Sequence, residues 1–222
     1  MKTFKQFLIE SSTFNIEQFK QDCAPVLAHL KGTGGELIMY RGEGAVPKDW
    51  QIREWRERPR PAQTPKEVHD SINQYFTHRS DIEEPIRSWM FCTGSKMTAD
   101  LYTSWHRVPL AIFPIGEFQW VCAKDPDIGK DFTDYYFTTY REILKSQPQI
   151  VQMKQLQDKT LEAITHQLDS TEFWNSTDLQ ACLKSGNEIM FKCERFYAFS
   201  TFYDDPKLVW NSPEFKELLK SL

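Results

Sequence analysis

The sequence lacks the patterns that mark disulfide-stapled, zinc-binding and membrane-spanning proteins. Its five cysteines are an odd number in 222 residues and include no C-x-x-C pair, which argues against a disulfide framework and against a zinc site. No apolar run approaches the roughly 18 residues that a transmembrane helix needs. The N-terminus has no apolar segment followed by a small-residue cleavage site, so we predict no secretory signal. The simplest expectation is a protein with reduced thiols and no membrane partner.

Positive charge is also in short supply. The formal net charge is −4, with 27 basic and 31 acidic residues. We therefore expect no sequence-specific DNA binding, because neutralising phosphates demands a basic surface. A local exception is a group of four arginines, Arg53, Arg56, Arg58 and Arg60. Two interpretations of this group stay open, a solvated loop stiffened by prolines and an anion-binding patch.

Several catalytic motifs are missing as well. The five histidines are scattered and form no H-E-x-x-H pattern. The chain has neither the Gly-x-Ser-x-Gly elbow of serine hydrolases nor the consensus of a P-loop. We therefore expect no metal cofactor, no serine hydrolase and no P-loop nucleotide hydrolase.

What is present is typical of one globular domain. Hydrophobic residues make up 40% of the chain and charged residues 26%, so there is enough apolar surface to offset the entropy of ordering. Aromatic residues reach 14%. This excess favours a core rich in rings or, alternatively, rings that line a cleft for a planar ligand.

Apolar spacing predicts a mixture of helices and strands. The predicted helices cover 15–31 (bent or divided at Pro25), 65–79, a short segment after 94, 131–146, 149–168, 179–183 and 213–221. The predicted strands cover 36–41, 88–93, 110–113, 118–121 and 188–200, the last as one long strand or a pair. The proline-rich stretch 44–65 is predicted to be an ordered loop. Because helices and strands do not alternate strictly, the pattern indicates an α+β fold.

Three predicted strands each carry a polar residue where apolar residues dominate. The first ends in Tyr40-Arg41-Gly42, the second in Phe91-Cys92-Thr93-Gly94-Ser95, and the third opens with Gly186-Asn187-Glu188-Ile189-Met190. Taken singly, a charged residue at a strand end is most often part of a surface ion pair. Taken in this order, the three segments resemble the Arg–Ser–Glu class of mono-ADP-ribosyltransferases, with "TADLYTSW" similar to the Ala-x-x-Tyr helix after that family's second strand.

The resemblance runs from about residue 37 to 199 through short anchors, and it implies a fold and a site. The fold would be a split β-sheet core around an NAD cleft, flanked by helices. Glu188 and Thr93 would be catalytic, with Glu188 stabilising the oxocarbenium-like ribose. Arg41 would bind the pyrophosphate or ribose, for which its fixed fork of donors is suited. The other residues implied to bind NAD are Gly42, Cys92, Ser95 and Tyr102.

The sequence departs from that family at two positions. Cys92-Thr93-Gly94 stands where the family has Ser-Thr-Ser, so the hydroxyl role falls mainly on Thr93, with Ser95 or Cys92 as a substitute donor. Two residues before the catalytic glutamate, arginine-modifying members of the family carry Glu, and asparagine- or glutamine-modifying members carry Gln. This chain has Gly186 at that position. The acceptor therefore stays open.

The first ten residues, "MKTFKQFLIE", resemble the capsid-targeting leader of internal head proteins of tailed phages, in which a protease cuts after Leu- or Ile-x-Glu. We expect a possible leader at 1–10 and a single domain at 11–222. The resulting hypothesis is an NAD-dependent phage transferase, monomeric, that modifies a host protein or RNA in the host cytoplasm, with packaging in the head and injection left open. The alternatives are a non-catalytic internal head protein that inhibits a host defence factor and an NAD glycohydrolase of the same fold.

Overall fold

A computed structural model describes residues 13–43, 49–56, 64–79, 84–103, 108–123, 128–146, 153–170, 178–202, 205 and 207–222. The segment 1–10, expected to be a leader, lies outside these ranges. Within them the helices are α1 (Ile16–Asp22), α2 (Ala24–Leu30), α3 (Lys66–Arg79), α4 (Lys96–Asp100), α5 (Ile128–Ser146), α6 (Met153–Ser170), α7 (Leu179–Ser185) and α8 (Pro213–Lys220). The strands are β1 (Met39–Arg41), β2 (Trp50–Glu54), β3 (Met90–Thr93), β4 (Leu110–Cys122) and β5 (Glu188–Ser200). Short 3₁₀ turns cover Ile86–Ser88 and Val209–Asn211. The fold is therefore α+β, as the sequence predicts.

The strands form one antiparallel sheet organised around β5. One edge of β5 is shared between two partners, because β3 pairs with its first part and β2 with its second part. The other edge of β5 pairs with β4 along most of its length. The short strand β1 pairs with both β3 and β4. The beginning of β5, where Glu188 lies, is thus surrounded by paired strands.

The helix predicted over 15–31 is present as two helices, α1 and α2. The side chain of Asn15 accepts hydrogen bonds from the backbone of Glu17 and Gln18 and so caps α1. Pro25 lies in the first turn of α2, where its missing N–H needs no partner, and the predicted helix is divided there. Phe19 on α1 is fully buried.

Two predictions about strands are wrong. The stretch predicted to be a loop contains β2, an edge strand whose Gln51 and Arg53 give it too little apolar character to stand out in the sequence. The predicted strands 110–113 and 118–121 are one strand, with an irregularity in its pairing between Ile115 and Phe118. Gly116 lies there with a φ of 68°, so the chain bulges without ending the strand.

The helices bury two groups of apolar side chains against the sheet. Helices α1, α2, α7 and α8 contribute to the larger core, in which most of the aromatic rings pack edge to face. A smaller core joins α3 and α5 to the sheet through buried residues that include Val68, Trp89, Val121, Tyr136 and Met190. These rings bear out the first interpretation of the aromatic excess, a core rich in rings. No helix in the described ranges combines the length and hydrophobicity that crossing a bilayer requires.

Candidate functional site

The sheet brings the three polar segments of the sequence to one level. Tyr40 of β1 lies opposite Thr93 of β3, and Thr93 lies opposite Glu188 of β5. Directly opposed residues of antiparallel strands have Cβ atoms about 4.5–5.5 Å apart. Arg41, Thr93 and Glu188 therefore come from three neighbouring strands, although Thr93 and Glu188 are 95 positions apart in the chain.

The three side chains do not all point the same way. Because side chains alternate along a strand, Thr93 and Glu188 share the face of the smaller core, and Arg41 leaves β1 on the face of Cys92. Burial raises the pKa of the Cys92 thiol, and the positive charge of Arg41 opposes that rise, which agrees with this placement. Cys92 is buried in the larger core.

Glu188 is buried and paired with an arginine that sequence reasoning missed. Nη1 of Arg87 donates to Oε1 of Glu188 at 3.0 Å, and the two side chains are 2% and 8% exposed. The backbone N–H of Arg87 is fixed in turn by Oδ1 of Asn73 on α3, at 2.8 Å. A buried carboxylate needs such a partner, because an isolated charge in a protein interior is very unfavourable. Arg87 thus supplies the countercharge of Glu188 and fixes the position of its carboxylate.

Phe91 connects this pair to Arg41. The guanidinium of Arg87 lies over the ring of Phe91, 4.4 Å from its centre. The backbone carbonyl of the same residue accepts a hydrogen bond from Nη1 of Arg41, at 2.7 Å. Strands β1 and β3 are paired at Tyr40 and Thr93. The carbonyl of Phe91 lies past the end of this pairing, and the side chain of Arg41 supplies its hydrogen bond.

A single carboxylate joins Arg41 to the arginine group that was noted in the sequence. Oε1 of Glu43 accepts from Nε of Arg41 at 2.6 Å, and Oε2 of Glu43 accepts from Nη1 of Arg53 on β2. The three side chains are between 17% and 20% exposed, so this ion triad is partly buried, with limited access from solvent. Arg53 lies in β2 and is partly buried, so the first interpretation of the arginine group, a solvated loop, is wrong for this residue.

The hydroxyl groups near Glu188 hold the backbone. Oγ1 of Thr93 donates to the carbonyl of Gly186 at 2.6 Å and accepts from the backbone N–H of Ser95 at 3.1 Å. It therefore ties the end of β3 to the residue two positions before β5. Oγ of Ser95 accepts from the backbone of Thr98 and caps α4. Their predicted contacts with NAD stay predictions.

Gly42 and Tyr102 lie against each other beside Arg41. A Cβ atom on Gly42 would lie 2.3 Å from the carbonyl oxygen of Ala99 and 2.7 Å from Cβ of Tyr102. Glycine is needed here because the last turn of α4 packs against the end of β1. Tyr102 is 54% exposed, so its ring is accessible from solvent next to Arg41. The predicted stacking on nicotinamide stays a prediction.

The residues that sequence reasoning missed are Arg87 and Glu43. A weak signal for Arg87 exists, since it is the one cation within the apolar run from Ile86 to Phe91. Glu43 gives no signal, because a glutamate after a glycine is ordinary in a loop. Among the described residues, no group of three or more His, Cys, Asp or Glu side chains is arranged to hold a metal ion.

No protein-family model, curated protein or solved structure matches this chain. The functional assignment therefore depends on the side chains described above and on the resemblance of the three sequence segments.

Proposed function

We propose that this chain is a mono-ADP-ribosyltransferase that transfers ADP-ribose from NAD⁺ to a host macromolecule. The observation that carries the proposal is the register of three strands, in which Tyr40, Thr93 and Glu188 lie side by side. The three segments that carry the resemblance thus come together in the sheet, with Arg41, the residue after Tyr40, leaving β1 on the opposite face from Thr93 and Glu188. The division of one edge of β5 between β3 and β2 supports a split-sheet core of the kind the resemblance implies.

The proposed reaction breaks the bond between C1′ of the nicotinamide ribose and the ring nitrogen. The bonding electron pair leaves with nicotinamide, which becomes neutral, and positive charge develops on the ribose. Glu188 would stabilise that charge, and its burial lowers the local dielectric and strengthens the effect. A nucleophilic oxygen or nitrogen of the acceptor then bonds to C1′ and loses its proton to solvent.

Arg87 supports this role of Glu188 by position. It fixes the carboxylate through one oxygen and balances its negative charge. We assign Arg87 as a positioning residue, because the contacts described for it are to Glu188, Phe91 and Asn73.

The remaining roles follow the resemblance. Arg41 would bind the pyrophosphate, since its guanidinium is already at the surface with an anion bound to it. Thr93 would position the start of β5, which carries Glu188, through its bond to Gly186. Tyr102 would stack on a planar ring. Cys92 receives no role toward NAD in this proposal, because its side chain lies in the core. The phage origin, the injected form and the host cytoplasm belong to the same proposal and depend on residues 1–10.

The experiment is incubation of the purified protein with NAD⁺ labelled in the adenylate phosphate, with and without bacterial lysate. The variant is Glu188→Gln, which keeps the shape and an acceptor oxygen for Arg87. Its matched control is Glu194→Gln, an exposed glutamate on the same strand. We expect Glu188→Gln to lower turnover at least about a hundredfold and Glu194→Gln to leave it unchanged. Because Glu188 is buried, circular dichroism of each variant must first match the parent, and Glu188→Asp provides a second variant that keeps the charge.

The products separate the candidate functions. Label that survives on protein or RNA supports transfer, and protease or ribonuclease treatment identifies which. Free ADP-ribose alone would assign an NAD glycohydrolase instead. Absence of turnover with a folded protein would reject the enzyme and favour a binding protein that inhibits a host factor.

A further inference from the structure

Glu43 holds two arginines that come from different strands. It accepts from Nε of Arg41 at 2.6 Å through one oxygen and from Nη1 of Arg53 through the other. A carboxylate bound by both of its oxygens is a flat, bidentate anion, and guanidinium groups bind phosphate oxygens in the same manner. The triad thus has the donor arrangement of a phosphate site that is filled by a side chain.

The charges of the triad suit a pyrophosphate in the place of Glu43. The carboxylate of Glu43 brings one negative charge to the two guanidinium groups. A pyrophosphate carries a negative charge on each of its two phosphates, one for each arginine. The side chains are only 17–20% exposed, so an anion bound here is partly removed from water and its interactions are screened less than at an open surface.

The two arginines are held in place independently of Glu43. Arg41 keeps its hydrogen bond to the carbonyl of Phe91. Arg53 lies within β2, where it pairs with Phe196 of β5. Glu43, by contrast, follows β1 and is outside any strand. Replacing Glu43 by a ligand would therefore leave the guanidinium group of Arg41 on its carbonyl and the backbone of Arg53 in the sheet.

We propose that Arg53 is a second pyrophosphate-binding residue beside Arg41, and that Glu43 occupies the place of the pyrophosphate until the ligand binds. The inference rests on the proposed function for the identity of the ligand, NAD⁺. Glu43 then acts as a competing anion that lowers the affinity of the site. On binding, its carboxylate moves into water and the phosphate oxygens accept the hydrogen bonds that it gives up.

The experiment is calorimetric titration of the protein with inorganic pyrophosphate, ADP-ribose and NAD⁺, with adenosine as a ligand that lacks phosphate. We expect Arg53→Ala to weaken binding of the three phosphate-bearing ligands about tenfold. Arg56→Ala removes the same charge three positions away, from an exposed side chain, and should change affinity less than twofold. We expect Glu43→Gln to strengthen binding about two- to fivefold. Its matched control, Glu54→Gln, removes an exposed carboxylate next to Arg53 and should have less than half of that effect.

Each outcome decides one part of the proposal. If Arg53→Ala and Arg56→Ala weaken pyrophosphate equally, Arg53 contributes only general charge and the inference is wrong. If Glu43→Gln weakens binding in a folded protein, Glu43 organises the site and does not compete for it. Pyrophosphate binding that depends on Arg53, together with no binding or cleavage of NAD⁺, would keep the anion site and reject the proposed transferase. NAD⁺ cleavage that Arg53→Ala leaves unchanged would keep the proposed transferase and reject the role of Arg53 in binding the pyrophosphate.

Discussion

Replacing Arg87 by methionine tests whether the buried ion pair holds the site in the geometry described. Methionine preserves most of the volume and packing over Phe91 but removes the charge that faces Glu188. Because both side chains are nearly inaccessible, the carboxylate would be left buried without its cation. Breaking a buried pair in this way costs about 3–5 kcal/mol. A single domain has a free energy of unfolding of about 5–15 kcal/mol, so the variant should fold but unfold at much lower urea.

The assay is urea unfolding monitored by tryptophan fluorescence, for which the buried Trp89 is an internal probe. The double variant Arg87→Met, Glu188→Gln removes both charges. We expect it to be more stable than the sum of the single variants predicts, with a coupling of at least about 1.5 kcal/mol. The exposed pair Lys66–Asp70 supplies the control, since its side chains are 73% and 51% exposed. Lys66→Met should cost less than about 1 kcal/mol. A loss below 1 kcal/mol for Arg87→Met, or additivity in the double variant, would refute the buried pair.

Two further predictions concern other parts of the same region. Gly42→Ala should lower the free energy of unfolding by about 1–3 kcal/mol, because the new Cβ would overlap the carbonyl of Ala99. Thermal unfolding measures this loss. An unchanged midpoint would show that α4 does not pack against Gly42. The thiols should resist a disulfide reagent in the native protein and react in urea, since the five cysteines are free and buried. Burial raises the pKa of the Cys92 thiol, and it raises the pKa of Cys193 to about 12. Above a pH of about 8.5 these thiols therefore ionise only in the unfolded chain. The free energy of unfolding then falls by up to about 1.4 kcal/mol per pH unit for each thiol. Cys92→Ala should reduce that alkaline slope, and an unchanged slope would mean that this thiol titrates in the native state.

The elements that the sequence predicts are those with a strong local signal. Asn15 and Pro25 mark the beginnings of α1 and α2, and the apolar run at 188–200 marks β5. The sequence does not predict the strand β2, because its conformation depends on pairing with β5, more than 140 residues away in the chain. The bulge at Gly116 explains why the sequence predicts two strands, 110–113 and 118–121, in place of β4, since a glycine within a strand pattern can mark either a bulge or a bend.

The sequence predicts individual residues of the site but not how they are arranged. The polar residues at strand ends, Arg41, Thr93 and Glu188, are visible in the sequence, but their alignment depends on strand order. Arg87 forms its ion pair with Glu188, 101 positions away in the chain, and no local sequence pattern predicts that pairing. The face on which Arg41 leaves β1 likewise depends on register, because shifting a strand by one residue reverses every side chain.

The most direct test of the proposed function is a crystal structure of the Glu188→Gln variant with NAD⁺. The proposal predicts the nicotinamide ribose within hydrogen-bonding distance of residue 188 and the pyrophosphate in contact with Arg41. NAD⁺ bound elsewhere, or a folded protein that takes up no NAD⁺ at millimolar concentration, would contradict it.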